Sequence, residues 1–119
     1  MEKQLKDIVC KAIDEKKEDL NEISQGILKN PELNFKEFKA HALLTSYLEK
    51  EGFDVAKSTP LETSFIARYG KKDGLKVGVI CEYDALPGVG HACGHNLIAE
   101  AGIGAAIGNY IKIIMLRIK

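Results

Sequence analysis

The stretch from Glu82 to Asn96 constrains this chain more than any other. It contains two of the three histidines, one of the three cysteines and two carboxylates, interleaved with glycines. Each of these polar side chains would need a partner if it were buried in a packed core. So many potential ligands in so short a segment predict a functional site, and a metal site is the kind that they suit best.

The spacing of the potential ligands favours one shared face. His91, Cys93 and His95 alternate along the chain, and alternate residues of an extended segment point the same way. Gly90 and Gly94 allow sharp turns and close approach of the backbone to a ligand. A thiolate with an imidazole suits zinc, and cobalt or manganese is tolerated when carboxylates complete the ligand set.

The flanking elements predict where this site lies in the fold. Residues 75–81 form a short apolar run that reads as a buried strand, and Asn96 can cap a helix that starts at about Leu97. The site would then follow the carboxyl end of a strand, as sites in open α/β sheets do. Glu82 or Asp84 could orient a ligand imidazole.

Two motifs in this region resemble a known family. They are Glu82-Tyr-Asp-Ala-Leu-Pro and Gly90-His-Ala-Cys-Gly-His-Asn-Leu-Ile98, and they closely resemble peptidase family M-20, a family of metallopeptidases. The resemblance is to its amidohydrolase branch, nearest to aminobenzoyl-glutamate hydrolase and the M-20 domain-containing dipeptidases. Asn30-Pro-Glu-Leu33 and Glu37 resemble an early segment of the same family, and the likeness extends to about Asn109.

The resemblance implies roles for some of these residues. Cys93 and His95 match the first two metal ligands of the family. Asp84 matches an acidic residue that supports a metal-bound histidine, and Glu82 stands where other branches have that histidine. The position of His91 carries no ligand role.

The resemblance also implies a fold, of which this chain is a part. The expected class is α/β: the N-terminal portion of a zinc-peptidase-like catalytic domain, with two long helices, a short mixed sheet and a final helix packed on it. Family members are several times longer than 119 residues, so residues 1–119 are expected to form an incomplete catalytic domain.

The activity implied by the resemblance is metal-assisted hydrolysis of the amide bond in dipeptides or N-acyl amino acids, with a glutamate as general base. In the family that glutamate lies in a Glu-Glu pair downstream of the motif, and more histidine ligands follow. This sequence has no Glu-Glu pair and no histidine after His95. We therefore expect the chain to be inactive alone. The alternative is a non-catalytic, vestigial or interaction protein that needs a partner chain.

Composition narrows the partners and the compartment. The formal net charge is zero, which argues against nucleic acid and anionic membranes as partners. Three widely spaced cysteines do not make a disulfide framework, and the charged first residues are unlike a signal peptide. A cytoplasmic protein acting on small molecules is expected.

Hydrophobic periodicity predicts the remaining elements. Gly52 is expected to end the second helix. Gly104 and Gly108 are expected to let the last helix pack closely on a sheet, rather than to mediate dimerisation of a membrane helix. The predicted helices are 2–29, 35–51 and 97–108; the predicted strands are 53–57, 64–69 and 75–82, the last two joined as an antiparallel hairpin.

The tail from Asn109 to Lys119 departs from the family pattern. Isoleucine and leucine crowd together there, where the family would continue with a loop and another strand. A frameshift or premature stop would explain it. An apolar tail of this kind also predicts self-association.

Overall fold

The computed structural model shows an α/β chain with four helices and one small antiparallel sheet, the predicted class. It describes the backbone of residues 1–117 and the side chains of residues 1–110. In chain order the elements are α1 (Glu2–Glu15), α2 (Lys17–Lys29), α3 (Phe38–Lys50), β1 (Asp54–Lys57), β2 (Phe65–Arg68) and α4 (His95–Arg117).

The first predicted helix is two helices. The chain breaks at Lys16, whose φ of −100° and ψ of 8° end α1 and begin α2. The Nζ atom of Lys16 lies 2.7 Å from Oε1 of Glu51, just after α3. The charged residues Lys16-Lys17-Glu18 interrupt the apolar stripe of residues 2–29 at this point. The helix itself ends at this point, and α1 and α2 each bury an apolar face of their own, with Ala12 buried on α1 and Ile23 on α2.

The second predicted helix starts three residues later than expected, at Phe38. Phe35 has a φ of +66°, in the left-handed region, and so cannot belong to an α-helix. The carboxylate of Glu32 accepts the backbone N–H of Lys39 at 2.9 Å and that of Ala40 at 2.9 Å. Glu32 therefore satisfies free donors in the first turn of α3 from outside the helix.

The predicted stop at Gly52 is confirmed. Gly52 has a φ of +88°, and its N–H donates to the carbonyl of Glu49 at 3.0 Å. The N–H of Phe53 donates to the carbonyl of Leu48, also at 3.0 Å. These two bonds are the Schellman motif, which needs a left-handed residue and thus favours glycine.

The sheet forms between the first two predicted strands. β1 and β2 are antiparallel, with Asp54 opposite Arg68 and Lys57 opposite Phe65. Apart from this sheet, the described residues contain a parallel bridge between Leu33 and Ala85.

The predicted hairpin between residues 64–69 and 75–82 is wrong. Residues 75–82 are in no strand, and Leu75 and Ile80 are 96% and 92% exposed. A strand requires a hydrogen-bonded neighbour. β2 pairs with β1 along one edge, and residues 75–82 do not add to its other edge. In the described part of the chain, residues 75–82 pair with no strand.

Helix α4 packs closely through its glycines, as predicted, but the surfaces that they meet belong to helices. A Cβ atom built on Gly104 would lie 3.7 Å from Leu20 of α2. One built on Gly108 would lie 2.9 Å from Val9 and 3.3 Å from Ile13, both on α1. Small residues therefore allow α4 to approach both helices.

Helix α4 also borders the sheet region and completes the core. The ring of Tyr110 lies 4.3 Å from that of Tyr69 and 6.2 Å from that of Phe53, between centroids. The buried hydrophobic cluster draws on three helices: Leu20, Ile23, Ile27, Ala40, Leu44, Tyr47, Leu48, Ala99, Ile103 and Ile107.

The last helix is longer than predicted, since α4 continues past Gly108 to Arg117. Among the described residues, no helix combines the length and apolarity that crossing a membrane requires. The predicted self-association depends on the side chains of residues 111–119, which lie outside the described residues, and so it stays a prediction.

Candidate metal centre

The candidate site occupies the loop between residues 82 and 94 and the first turn of α4. A tight turn shapes this loop, because the N–H of Leu86 donates to the carbonyl of Gly90 at 2.9 Å. Gly88, Gly90 and Gly94 have φ values of +75°, +62° and +81°. The sharp turns predicted at Gly90 and Gly94 are therefore confirmed, and both need the conformational freedom of glycine.

Asp84 and His95 form the central contact of the site. Oδ1 of Asp84 lies 2.8 Å from Nδ1 of His95, and the Asp84 carbonyl oxygen lies 3.1 Å from the same nitrogen. Carboxylate and carbonyl oxygens only accept hydrogen bonds, so Nδ1 must carry the proton. In the neutral imidazole this leaves the lone pair on Nε2, which is the arrangement of a metal-binding histidine.

Cys93 lies close to this pair in the chain. It is exposed, and it precedes the start of α4 by two residues. The carbonyl of Gly94 accepts the N–H of Ile98 at 3.1 Å. Cys93 and His95 thus flank the residue at which the intrahelical hydrogen bonds begin.

Asn96 does not cap α4, contrary to the prediction. The helix begins at His95, so Asn96 already lies within the first turn. Its side chain is 4% exposed, and its amide nitrogen donates to the carbonyl of Ser24 at 3.4 Å. Asn96 therefore joins the start of α4 to α2.

The expectation that His91, Cys93 and His95 share one face of an extended segment is wrong. The N–H of Gly94 donates to the carbonyl of His91 at 3.1 Å, which makes a turn, and His95 is helical. Both ring nitrogens of His91 are buried, whereas Cys93 is exposed.

Burial lowers the pKa of His91, and the neighbouring His95 lowers it further. The backbone of Ile27 is near the ring, but neither ring nitrogen makes a hydrogen bond of ordinary geometry. A buried imidazole without an acidic partner at bonding distance favours the neutral form. His91 therefore lies near His95 but makes no hydrogen bond to it or to Asp84.

The donor set only partly fits a metal ion. Thiolate and imidazole are donors that zinc accepts, but a zinc site usually has three or four protein ligands. In the part of the chain that the structure describes, no three side chains of histidine, cysteine, aspartate or glutamate come close enough to hold a metal together. Glu82 is exposed and makes no hydrogen bond to Asp84 or His95.

Sequence reasoning missed the residues that hold the loop in place. The N–H of Ala85 donates to the carbonyl of Glu32 at 2.7 Å, and the hydroxyl of Tyr83 donates to the carbonyl of Thr63. Thr63 carried no signal in the sequence, and Glu32 was singled out only because its segment resembles a known family. No periodicity or spacing connects residues so distant in the chain.

Comparison with known proteins identifies the family. No protein-family model matches the chain. However, the chain is 42% identical over 112 residues to a protein of Homo sapiens named Xaa-Arg dipeptidase, and this alignment covers 83% of the chain. It is 32% identical to one of the subunits of p-aminobenzoyl-glutamate hydrolase from Escherichia coli, over 81% of the chain. The chain belongs to peptidase family M-20, in its amidohydrolase branch.

The chain is also similar to a less closely related carboxypeptidase. Thermostable carboxypeptidase 2 of Saccharolobus solfataricus is 30% identical over 79% of the chain. The chain covers 26% of the human relative, 24% of the Escherichia coli relative and 30% of the Saccharolobus one. The shared region is therefore about a quarter to a third of these proteins.

Proposed function

We propose that this chain supplies part of the metal centre of a metal-dependent amidohydrolase or dipeptidase. Cys93 and His95 are the proposed ligands, and Asp84 is the residue that orients His95. The observation that carries the proposal is the 2.8 Å contact between Asp84 and Nδ1 of His95. This contact leaves the lone pair of Nε2 free to bind a metal ion. Residues 1–119 would then be part of one catalytic domain.

The substrate class follows from the relatives' names. One is a dipeptidase and another hydrolyses p-aminobenzoyl-glutamate, so both cleave an amide bond next to an amino acid. We infer that the complete site hydrolyses the amide of a dipeptide or an N-acyl amino acid. The free cysteines of this chain agree with a reducing compartment, and we propose the cytoplasm.

The metal would act as a Lewis acid that polarises the amide carbonyl when it is bound. Zinc suits the donors best, and cobalt or manganese is an alternative. Within this chain, Asp84 keeps the proton on Nδ1 of His95, and the turn at Gly94 keeps Cys93 next to the start of α4.

We propose that the chain alone does not catalyse hydrolysis. It offers two ligands, and the sequence contains neither the Glu-Glu pair of the family nor a later histidine. A general base close to the substrate is required for this reaction. The second candidate, a non-catalytic protein that shares a metal with a partner chain, is supported by the same incomplete donor set.

Cobalt binding tests the proposed ligands. Co²⁺ bound to a thiolate absorbs in the near ultraviolet, so a titration of the chain reports coordination by cysteine directly. We expect the band to appear for the wild type and for Cys10→Ser, since Cys10 is an exposed cysteine on α1. We expect it to be absent in Cys93→Ser and weaker in His95→Gln.

Two results would contradict the proposal. A cobalt band that persists in Cys93→Ser would show that the cysteine ligand is not Cys93. The absence of a band in the wild type would show that this chain does not provide the metal centre. Metal-dependent hydrolysis of a dipeptide by the chain itself, lost in Cys93→Ala, would show that the chain is a complete enzyme and not part of one.

A further inference from the structure

Asp84 is fixed on both sides by residues from distant parts of the chain. On its C-terminal side, the N–H of Ala85 donates to the carbonyl of Glu32 at 2.7 Å, and Ala85 is 3% exposed. On its N-terminal side, the hydroxyl of Tyr83 donates to the carbonyl of Thr63. The backbone of Asp84 therefore cannot move without breaking a hydrogen bond of one of its neighbours.

The bond on the Tyr83 side leads to a buried carboxylate. Glu37 is 6% exposed, and its Oε2 accepts the hydroxyl of Thr63 at 2.5 Å. Its Oε1 accepts the N–H of Phe35 at 2.8 Å. A buried carboxylate without partners would be costly, and here each oxygen has one. Glu37 therefore holds Thr63 in place, and the carbonyl of Thr63 accepts the hydrogen bond from the hydroxyl of Tyr83.

Packing around Tyr83 strengthens this connection. The ring of Tyr83 stacks on that of Phe65 with 6.1 Å between centroids and 20° between planes. Burial, and to a lesser degree the charge of Glu37, raises the pKa of Tyr83 to about 12. The phenol therefore remains a protonated donor at any physiological pH.

We propose that Glu37 is a positioning residue for the metal centre. Through Thr63 and Tyr83 it holds Asp84 where the carboxylate meets Nδ1 of His95. The inference depends on the proposed function only in its last step, the binding of a metal by Nε2 of His95. The loop before α3 thereby controls a side chain at the start of α4.

The tautomer of His95 is the readout, because a residue that only stabilises the fold would not change it. In the chain labelled with ¹⁵N-histidine and free of metal, long-range ¹H–¹⁵N spectra show which ring nitrogen carries the proton. The measurement is made at about pH 8.5, well above the ordinary histidine pKa of about 6.5. A His95→Gln spectrum assigns the signals.

The variants remove single links of the connection. Tyr83→Phe deletes the hydroxyl without opening a cavity, and Thr63→Val deletes the donor to Glu37. We expect both to shift His95 from one tautomer to a mixture of two. Thr63→Ser retains a hydroxyl and should keep the wild-type spectrum. Cobalt affinity should fall by up to about 10-fold in Tyr83→Phe, the lower end of the range for groups that support a metal ligand.

Tyr47→Phe is the matched control. It also removes a partly buried phenol hydroxyl, which donates to Oδ2 of Asp19 at 3.2 Å, but Tyr47 lies within α3 and its hydroxyl is not one of the links between Glu37 and Asp84. It should lower stability and leave the His95 tautomer unchanged. Equal changes in Tyr47→Phe and Tyr83→Phe, or none in Tyr83→Phe, would overturn the inference.

The two proposals fail in different ways. If the wild type holds a single His95 tautomer that Tyr83→Phe disturbs, but binds no cobalt, the positioning stands and the metal centre does not. If cobalt binds through Cys93 and Tyr83→Phe changes neither the tautomer nor the affinity, the metal centre stands and the positioning role of Glu37 does not.

Discussion

The contact between α4 and α1 can be tested by replacing Gly108 with alanine. A Cβ atom at this position would lie 2.9 Å from Cγ1 of Val9 and 3.3 Å from Cδ1 of Ile13. Ordinary carbon–carbon contacts are about 3.5–4.0 Å, so the side chain of Val9, or α1 with it, would have to shift. Gly104 is the matched control, because its Cβ atom would meet Leu20 at an ordinary 3.7 Å.

The expected magnitude follows from two opposing effects. Either substitution gains about 0.8–1.0 kcal/mol of helix propensity. At Gly104 little opposes this gain, so the free energy of unfolding should rise by up to about 1 kcal/mol. At Gly108 overpacking costs about 1–3 kcal/mol. The gain in propensity cancels between the two variants, and their difference should be about 1–3 kcal/mol.

Urea unfolding followed by circular dichroism measures this difference. A slope of about 1–3 kcal/mol per M is usual for small proteins, so a 2 kcal/mol difference separates the two midpoints by roughly 1 M. If Gly108→Ala were as stable as Gly104→Ala, the close approach of α4 to Val9 and Ile13 would be refuted.

Three further substitutions test other contacts. In Gly102→Ala the new methyl group would overlap the Sγ atom of Cys81. The thiol of Cys81 should therefore be displaced and react faster with a disulfide reagent. Leu44→Ala truncates a side chain that is 1% exposed, and unfolding free energy should fall by about 2–5 kcal/mol. The hydrogen bond to Glu51 raises the pKa of Lys16. The pair therefore stabilises the fold below the unfolded lysine pKa of about 10.4 and loses this effect as pH rises through the higher folded value. Lys16→Met should cost about 0.2–1 kcal/mol near pH 8 and less above about pH 11.

Each of these tests has its own control. Thiol reactivity is compared in a background with Cys10 and Cys93 replaced by serine, and an unchanged rate would mean that Gly102 does not contact Cys81. Leu43→Ala, at a side chain 38% exposed, should cost clearly less than Leu44→Ala; equal losses would contradict the burial. A loss in Lys16→Met that is the same at both pH values would show that the ion pair is not its source.

Local signals in the sequence were sufficient where one residue decides the backbone. Gly52 ends α3 because the Schellman motif needs a left-handed residue, and its φ of +88° confirms this. The turns at Gly90 and Gly94 were predicted for the same reason. From the residues alone either Glu82 or Asp84 could orient a ligand imidazole; the family resemblance pointed to Asp84, and it is Asp84 that contacts His95.

Local signals failed where the outcome depends on distant partners. Residues 75–82 have the composition of a strand, but pairing is a property of two segments, and in the described part of the chain they pair with no strand. Residues 2–29 were predicted as one helix although Lys16-Lys17-Glu18 interrupts the apolar stripe, and the chain breaks there into α1 and α2. Asn96 is a good capping residue by type, but the helix starts before it.

The sequence by itself determined which side chains could form a site, because Asp84, Cys93 and His95 lie within one short segment whose glycines dictate its turns. Only the tertiary structure decided how His95 is oriented. The carboxylate of Glu37, 58 residues away from His95 in the chain, reaches the site through Thr63 and Tyr83. Such hydrogen bonds arise from packing between elements, and residue order does not encode them locally.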